Sequence, residues 1–557
     1  MESINTETSK KKKKHTAVIY FHGIGAPDRE SSLTQFLDYF DLYGQSKSKS
    51  EIGKPRDFSY STEIISDDQD DIIGYVEFKR ILEHKGNPFV SRSIRFYEGY
   101  WTPEANTKFN LAYLLLWLLS RISRPFSVHF SKWRAYAPIR INVLHKLVGS
   151  GQHSITQRLE RLYRDFENWG NRGNYPRGTE GEFIAFIRAS TVQEPDKVVD
   201  LARQWMSAFR VQTALVCALS AVLAACFVVL SWSIIWLVIA AFSFWSSEPA
   251  SVPEISAWLA VATLALLFVI QVRSVFRTHI ADILAWTISS ERDSGFDARA
   301  RVIKFAQRLI RHVTSNDDCD RCIVIGHSLG SCIALEALLQ EGRNAKLKAE
   351  SGTNLRKIPF VFTIGSPIDL IFDFFQADRS YSHRHNRLEE EKRLSISLPP
   401  FLVDETPTES RIVNIWSRFD PLAYPLFSAR KRISEPRETV INVEVLSAGS
   451  PFGNHTGYFQ DQNVMHLIYW AVMTGRMPKE NTENFKPKLP PRWLLLIISM
   501  TVSLCLLLVL SLFLFTGSWV WLAMLAAAVT AVGFAVSLWM TKVHKSYQST
   551  GGDFLRR

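Results

Sequence analysis

A chain of 557 residues, with 65 lysines and arginines against 54 aspartates and glutamates, carries a formal net charge of +11 and is long enough for one large core with substantial additions. The positive balance raises the possibility of nucleic acid. No helix-turn-helix, RRM or zinc-finger pattern accompanies it, and the basic residues cluster beside apolar runs, so the expected partner is a lipid bilayer and no nucleic acid. The mean hydropathy of −0.02 averages two populations, polar stretches and apolar runs that no soluble domain needs, while six cysteines form neither a disulfide framework nor a paired zinc site.

Taken in order, residues 1–15 form a polar tail ending in the lysine run Lys10 to Lys14, read as solvated. It lacks the apolar core of a secretory signal, so the globular part and both termini are expected on the cytoplasmic side. Thr16 to Phe21 reads as a buried strand running into His22-Gly23-Ile24-Gly25. A strand ending in H-G-x-G suits a loop whose backbone N–H groups approach a developing oxyanion. Gly23 and Ile24 are the candidates for one donor, with His22 and Gly25 as loop support. Residues 31–43 have helical spacing, a polar loop follows, and Ser93 to Trp101 reads as another strand, completing a first globular part over 16–106.

Residues 107–210 are basic, aromatic and helical in character. The run Leu111 to Leu119 is too short for a confident bilayer crossing, so 107–150 stands open between an interfacial segment, a lid over the site and a buried core helix. Val211 to Trp245 and Ile255 to Val272 carry no charge and flank a short polar loop, and the spacing predicts a transmembrane hairpin over 211–272. A second hairpin is predicted within 486–542, from Trp493 to Phe515 and Trp519 to Met540, before a tail at 543–557. Arginine and lysine lie at the outer ends of both hairpins and are absent from their connecting loops, which places those loops away from the cytoplasm. Two crossings return the chain to the side it left, so 16–106 and 273–485 can share one fold.

The second part contains the stretch that organises the reading. Cys322 to Ile325 is a short apolar strand, Gly326-His327-Ser328-Leu329-Gly330 is a G-x-S-x-G, and Ile333 to Leu339 has helical spacing. Strand, turn and helix in that order make a nucleophile elbow: the serine stands clear of the sheet, and Gly326 and Gly330 let strand and helix pass closely. The N–H of Leu329 is the second oxyanion donor, and the His327 side chain is expected to point away from the site. The C-x-x-C at Cys319 and Cys322 is read as structural. Residues 359–364 form the next strand, ending at Gly365-Ser366-Pro367, and 378–394 is an exposed excursion. Arg411 to Trp416 is a strand with Asp420 in the loop beyond it. His455 lies in the glycine-flanked loop Gly453-Asn454-His455-Thr456-Gly457. A serine hydroxyl needs a base and the base an orienting acid; Ser328, Asp420 and His455 fill those roles, with Asp369 as the second candidate for the acid. His279, His312, His327 and His466 read as surface or core residues.

With H-G-I-G at 22–25, G-H-S-L-G at 326–330, G-S-P at 365–367, F-D-P at 419–421 and N-H-T-G-Y at 454–458, the chain resembles the α/β-hydrolase serine lipases and esterases over roughly 16–100 and 280–475. The resemblance implies an α/β-hydrolase fold, a parallel central sheet wrapped by helices, interrupted here by a membrane insertion and joined to two transmembrane helical hairpins. It implies acyl transfer to water through a serine ester, with no metal and no organic cofactor. The expectation is a membrane-anchored serine hydrolase acting on carboxylic esters, lipid esters first because the hairpins hold the site near a bilayer. A thioesterase or protein deacylase, and a catalytically inactive membrane scaffold keeping the fold, are the alternatives; a peptidase is a weaker third.

Overall fold

The computed structural model describes residues 14–24, 28–47, 57–65, 71–84, 87–105, 180–189, 198–217, 294–347, 354–368, 402–403, 406–407, 411–426, 440–447 and 451–478, with a few isolated positions between them. Its centre is an eight-stranded sheet. The strands are β1 (His15–Phe21), β2 (Asp57–Ile65), β3 (Asp71–His84), β4 (Asn87–Gly99), β5 (Cys319–His327), β6 (Phe360–Ile364), β9 (Arg411–Trp416) and β10 (Val440–Glu444), with β7 (Leu402–Val403) and β8 (Thr406–Pro407) forming a separate two-stranded ribbon. Across the sheet the order is β10-β9-β6-β5-β1-β4-β3-β2. From β10 to β4 every neighbouring pair is parallel, and β3 and β2 add an antiparallel edge.

The sequence explains why this sheet is covered on both faces. β1 is buried along its whole length and apolar from Ala17 to Phe21, as expected of a strand covered on two sides, and its residues alternate between two cores. Ala17, Ile19 and Phe21 join one cluster with Cys322 and Val324 of β5. Val18 and Tyr20 join the other with Ile323 and Ile325. The first face is covered by α3 (Ser294–Ser315) and α4 (Leu329–Leu347), joined by the ion pairs Arg299–Glu336 at 2.7 Å and Arg311–Glu341 at 2.8 Å. The second is covered by α1 (Ser31–Lys47) and α6 (Gln462–Thr474). There Phe36 and Phe40 of α1 pack on Phe96 of β4, and Phe40 meets Tyr469 of α6 with ring centroids 5.0 Å apart. Burying one such phenylalanine contributes about 1.5–3 kcal/mol.

Three details differ from the expectation drawn from the sequence. The stretch after α1, expected as a polar loop, contains the hairpin β2–β3, and the strand expected from 93 begins at Asn87. An antiparallel edge strand pairs on one side only, so it carries polar residues that a central strand cannot. His455 lies in a short helix, α5 (Pro451–Thr456), rather than in an open loop; Pro451 supplies a φ preset for a first helical turn.

Helix α2 (Glu180–Ala189) precedes the first apolar run, and a helix over residues 198–217 runs into it. No helix among the described residues is long and apolar enough to cross a membrane. Apart from 211–217 and position 220, both expected hairpins lie outside the described residues, as do most of 107–150, the excursion at 378–394, and Gly25, His279 and Asp369.

Candidate active site

β5 ends at His327, and the next residue, Ser328, has φ 51°. A non-glycine residue in the left-handed region is strained by about 1–2 kcal/mol, so the surroundings must hold it. They do so from both sides. The Ser328 N–H donates to Ile364 O at 2.8 Å, and Ser328 O accepts from the Ser331 N–H at 3.0 Å. The Ser331 hydroxyl returns to Gly326 O at 2.7 Å. A Cβ on Gly330 would sit 2.3 Å from Phe21 O and 2.4 Å from His22 O, and one on Gly326 would sit 2.5 Å from Ser331 Cα. Strand, elbow and the end of β1 therefore touch backbone to backbone.

That contact brings the H-G-x-G loop to the serine. A Cβ on Gly23 would lie 2.9 Å from Ser328 Cβ. The loop is fixed through His22, whose Nδ1–H donates to Gly23 O at 2.9 Å while its Nε2 accepts from the Thr102 hydroxyl at 3.3 Å. The His22 ring stacks on Trp101, centroids 5.0 Å apart, and Trp101 Nε1–H donates to His22 O at 3.1 Å. Burial holds the His22 imidazole neutral, its pKa lowered to about 4. Leu329 opens α4, where a first-turn N–H has no intrahelical acceptor. The N–H groups of Gly23, Ile24 and Leu329 have no acceptor among the described residues.

The imidazole of His455 stands over this elbow. Its Nε2 lies 2.9 Å from Ser328 Oγ and its Nδ1 lies 2.9 Å from Asp420 Oδ2. Asp420 is fully buried. Its Oδ1 accepts from the Leu422 N–H at 2.8 Å, and its Oδ2 accepts a second hydrogen bond, from the Tyr458 hydroxyl at 2.8 Å. With Asp420 on Nδ1, that nitrogen carries the proton and Nε2 presents its lone pair to the serine. The three residues singled out from the sequence, on three separate segments, thus meet in one continuous chain of hydrogen bonds.

Several neighbours were not assigned a place there from the sequence. His327 does not point away: its Nε2–H donates to His455 O at 3.0 Å, and the two rings lie 5.4 Å apart. Strand alternation puts His327 on the same face as Ile323 and Ile325, where α5 and Tyr458 pack. Burial, then the adjacent His455, lowers its pKa to about 4. Tyr458 is fully buried against Gly365, whose φ of 59° and missing Cβ make room for its ring. Burial and the Asp420 carboxylate raise the Tyr458 pKa well above the phenol range, so the hydroxyl stays a donor. Beneath the acid loop, Asn414 on β9 donates to Tyr424 O at 2.9 Å and accepts from the Thr363 hydroxyl at 2.9 Å. Ser417 donates to Asn454 Oδ1 at 3.3 Å, and Arg418 is paired with Glu444 in a buried ion pair. N-H-T-G-Y carried Tyr458 and G-H-S-L-G carried His327 in plain view; Asn414, Ser417 and Arg418 had no motif to mark them.

Compared with models of protein families, with curated proteins and with solved structures, the chain matches none.

Proposed function

We propose that the chain is a membrane-anchored serine hydrolase of α/β-hydrolase fold, cleaving carboxylic esters, lipid or acyl esters first among them. The observation that carries this reading is the 2.9 Å contact of Ser328 Oγ with His455 Nε2, continued at 2.9 Å from Nδ1 to Asp420. The strained φ of Ser328 and the parallel strand order around β5 support it.

The chemistry follows from the geometry. His455 Nε2 takes the Ser328 proton as Oγ bonds to the ester carbonyl carbon, and the carbonyl electrons move onto oxygen. The N–H of Leu329 and those of Gly23 or Ile24 receive that oxyanion. As the tetrahedral species collapses, the C–O bond to the alcohol breaks and His455 returns the proton to the departing oxygen. Water, deprotonated by the same imidazole, then releases the acid and restores Ser328. Asp420 keeps Nδ1 protonated and stabilises the transient imidazolium. No step calls for a metal or an organic cofactor. The apolar runs at 211–272 and 486–542, flanked by Arg and Lys on their outer ends, support a site at the cytoplasmic face of a bilayer, where lipid esters would be concentrated substrates.

The test is labelling of the membrane fraction with a fluorophosphonate. Wild type should label, Ser328→Ala should not, and His455→Ala should label roughly 10⁴-fold more slowly. Absence of labelling in folded, membrane-inserted wild type, repeated in detergent micelles, would favour the scaffold reading.

A further inference from the structure

The helix over 198–217 runs into the first apolar run, which begins at Val211. It docks on the loop that carries Asp420. Ala208 packs in a small cluster of its own with Trp416 and Ala423, and the Phe209 ring stands edge-on to Tyr424 at 5.8 Å. Gln204 Nε2 donates to Glu444 Oε2 at 3.4 Å, the carboxylate that holds Arg418. At the centre is Gln212, fully buried. Its Nε2 donates to Ser417 O at 3.2 Å and to Ala423 O. Those carbonyls lie three residues before and three residues after Asp420, so a single side chain closes the acid loop.

The choice of residue is informative. Both partners are carbonyls, which fixes the amide nitrogen toward the loop. The Gln212 Oε1 is buried with no hydrogen-bond partner among the described residues. Leucine would fill this helical position without stranding an oxygen in the interior, and every position from Ala214 through Cys217 of the same helix is apolar. A buried amide is retained where its two donors reach the loop.

We propose that Gln212 is a positioning residue for Asp420, and that through it the helix entering the first apolar run ties the acid's placement to the seating of that run in a lipid bilayer. This rests on the reading of Ser328, His455 and Asp420 as a triad. Release of the loop carries Oδ2 away from His455 Nδ1, which removes tautomer control and transition-state stabilisation while leaving ester binding in place.

The experiment uses the full-length chain in phosphatidylcholine vesicles and in detergent micelles, with p-nitrophenyl butyrate hydrolysis and amide hydrogen exchange as readouts. In vesicles, Gln212→Leu should lower kcat about tenfold with KM within about twofold. It should speed exchange over 417–424 and leave 360–364 at the wild-type rate, which shows that the sheet has kept its fold. Wild type should turn over several-fold faster in vesicles than in micelles, and the variant should lose that difference. If Gln212→Leu does not accumulate, Gln212→Met, unbranched and of similar length, gives the same readouts. Wild-type kcat and wild-type loop exchange in the variant would overturn the positioning role, and equal wild-type rates in vesicles and micelles would overturn the link to the bilayer. A wild type that neither hydrolyses nor labels would instead remove the triad reading, while the exchange arm still decides whether Gln212 holds the loop.

Discussion

Asp420 Oδ2 receives two donors, His455 Nδ1–H and the Tyr458 hydroxyl, within 2.9 Å and 2.8 Å. A hydrogen bond to a buried charged group is worth about 1.5–3 kcal/mol. Tyr458→Phe keeps the ring that fills the space beside Gly365 and removes only that bond. We predict a loss of about 2 kcal/mol in urea unfolding and a several-fold fall in fluorophosphonate labelling, because the carboxylate gains freedom to turn away from the imidazole. The buried histidines make a second prediction. His22 and His327 both have pKa values lowered from 6.5 to about 4, so between those values the unfolded chain binds protons that the native one refuses. Their stabilising contribution is complete above pH 6.5 and is lost as the pH falls from 6.5 toward 4. His22→Asn should therefore lose less thermal stability than wild type on going from pH 7 to pH 4.5, whatever its stability at pH 7. A parallel fall for both proteins would show that His22 does not carry this part of the acid response.

At the scale of elements, the elbow depends on backbones meeting where no side chain fits. The oxygens of Phe21 and His22 would stand 2.3 and 2.4 Å from a Cβ at residue 330, and neither can swing aside as a flexible side chain could. Gly330→Ala should therefore part α4 from β1, lower the unfolding midpoint by many degrees and abolish labelling, readable by thermal scanning in micelles. Such elements were legible because one physical requirement wrote them plainly: Cys322 to Ile325 and Ala17 to Phe21 are buried on both faces and so run apolar without interruption. The β2–β3 edge was not legible as easily. Phe58, Tyr60, Thr62 and Ile64 alternate with Asp57, Ser59, Ser61 and Glu63, a period-two signal that strand pairing explains but that reads as a polar loop when only the charges are weighed. The candidate triad was legible because Ser328, Asp420 and His455 each follow a strand or a glycine-marked turn. Gln212 was not, and for Tyr458 and His327 the motifs showed the residues but not their bonds to Asp420 and His455 O, because those arise from which segments pack together.

For the whole molecule, the two apolar pairs are not equivalent. The first, 211–272, lies between β4 and β5 in the chain, so it separates β1 from the elbow strand that pairs with it. Its leading helix also touches the acid loop at Gln212. The second, 486–542, follows α6, and every strand of the sheet and every residue of the candidate triad precedes residue 478. The last helix before it is already closed on its own terms, with Asp461 accepting from the Asn463 and Val464 N–H groups at its start and Gly475 at φ 70° at its end. Truncation after residue 485 should consequently leave the labelling rate of Ser328 within about twofold of wild type, while reducing retention of the protein in the membrane fraction. Removal of 211–272 should abolish labelling altogether, because it deletes Gln212, whose amide bonds Ser417 O and Ala423 O on either side of Asp420, as well as the proposed anchor. Equal effects of the two deletions would mean that both pairs act only as anchors, and that the sheet and site are indifferent to which of them holds the chain at the bilayer.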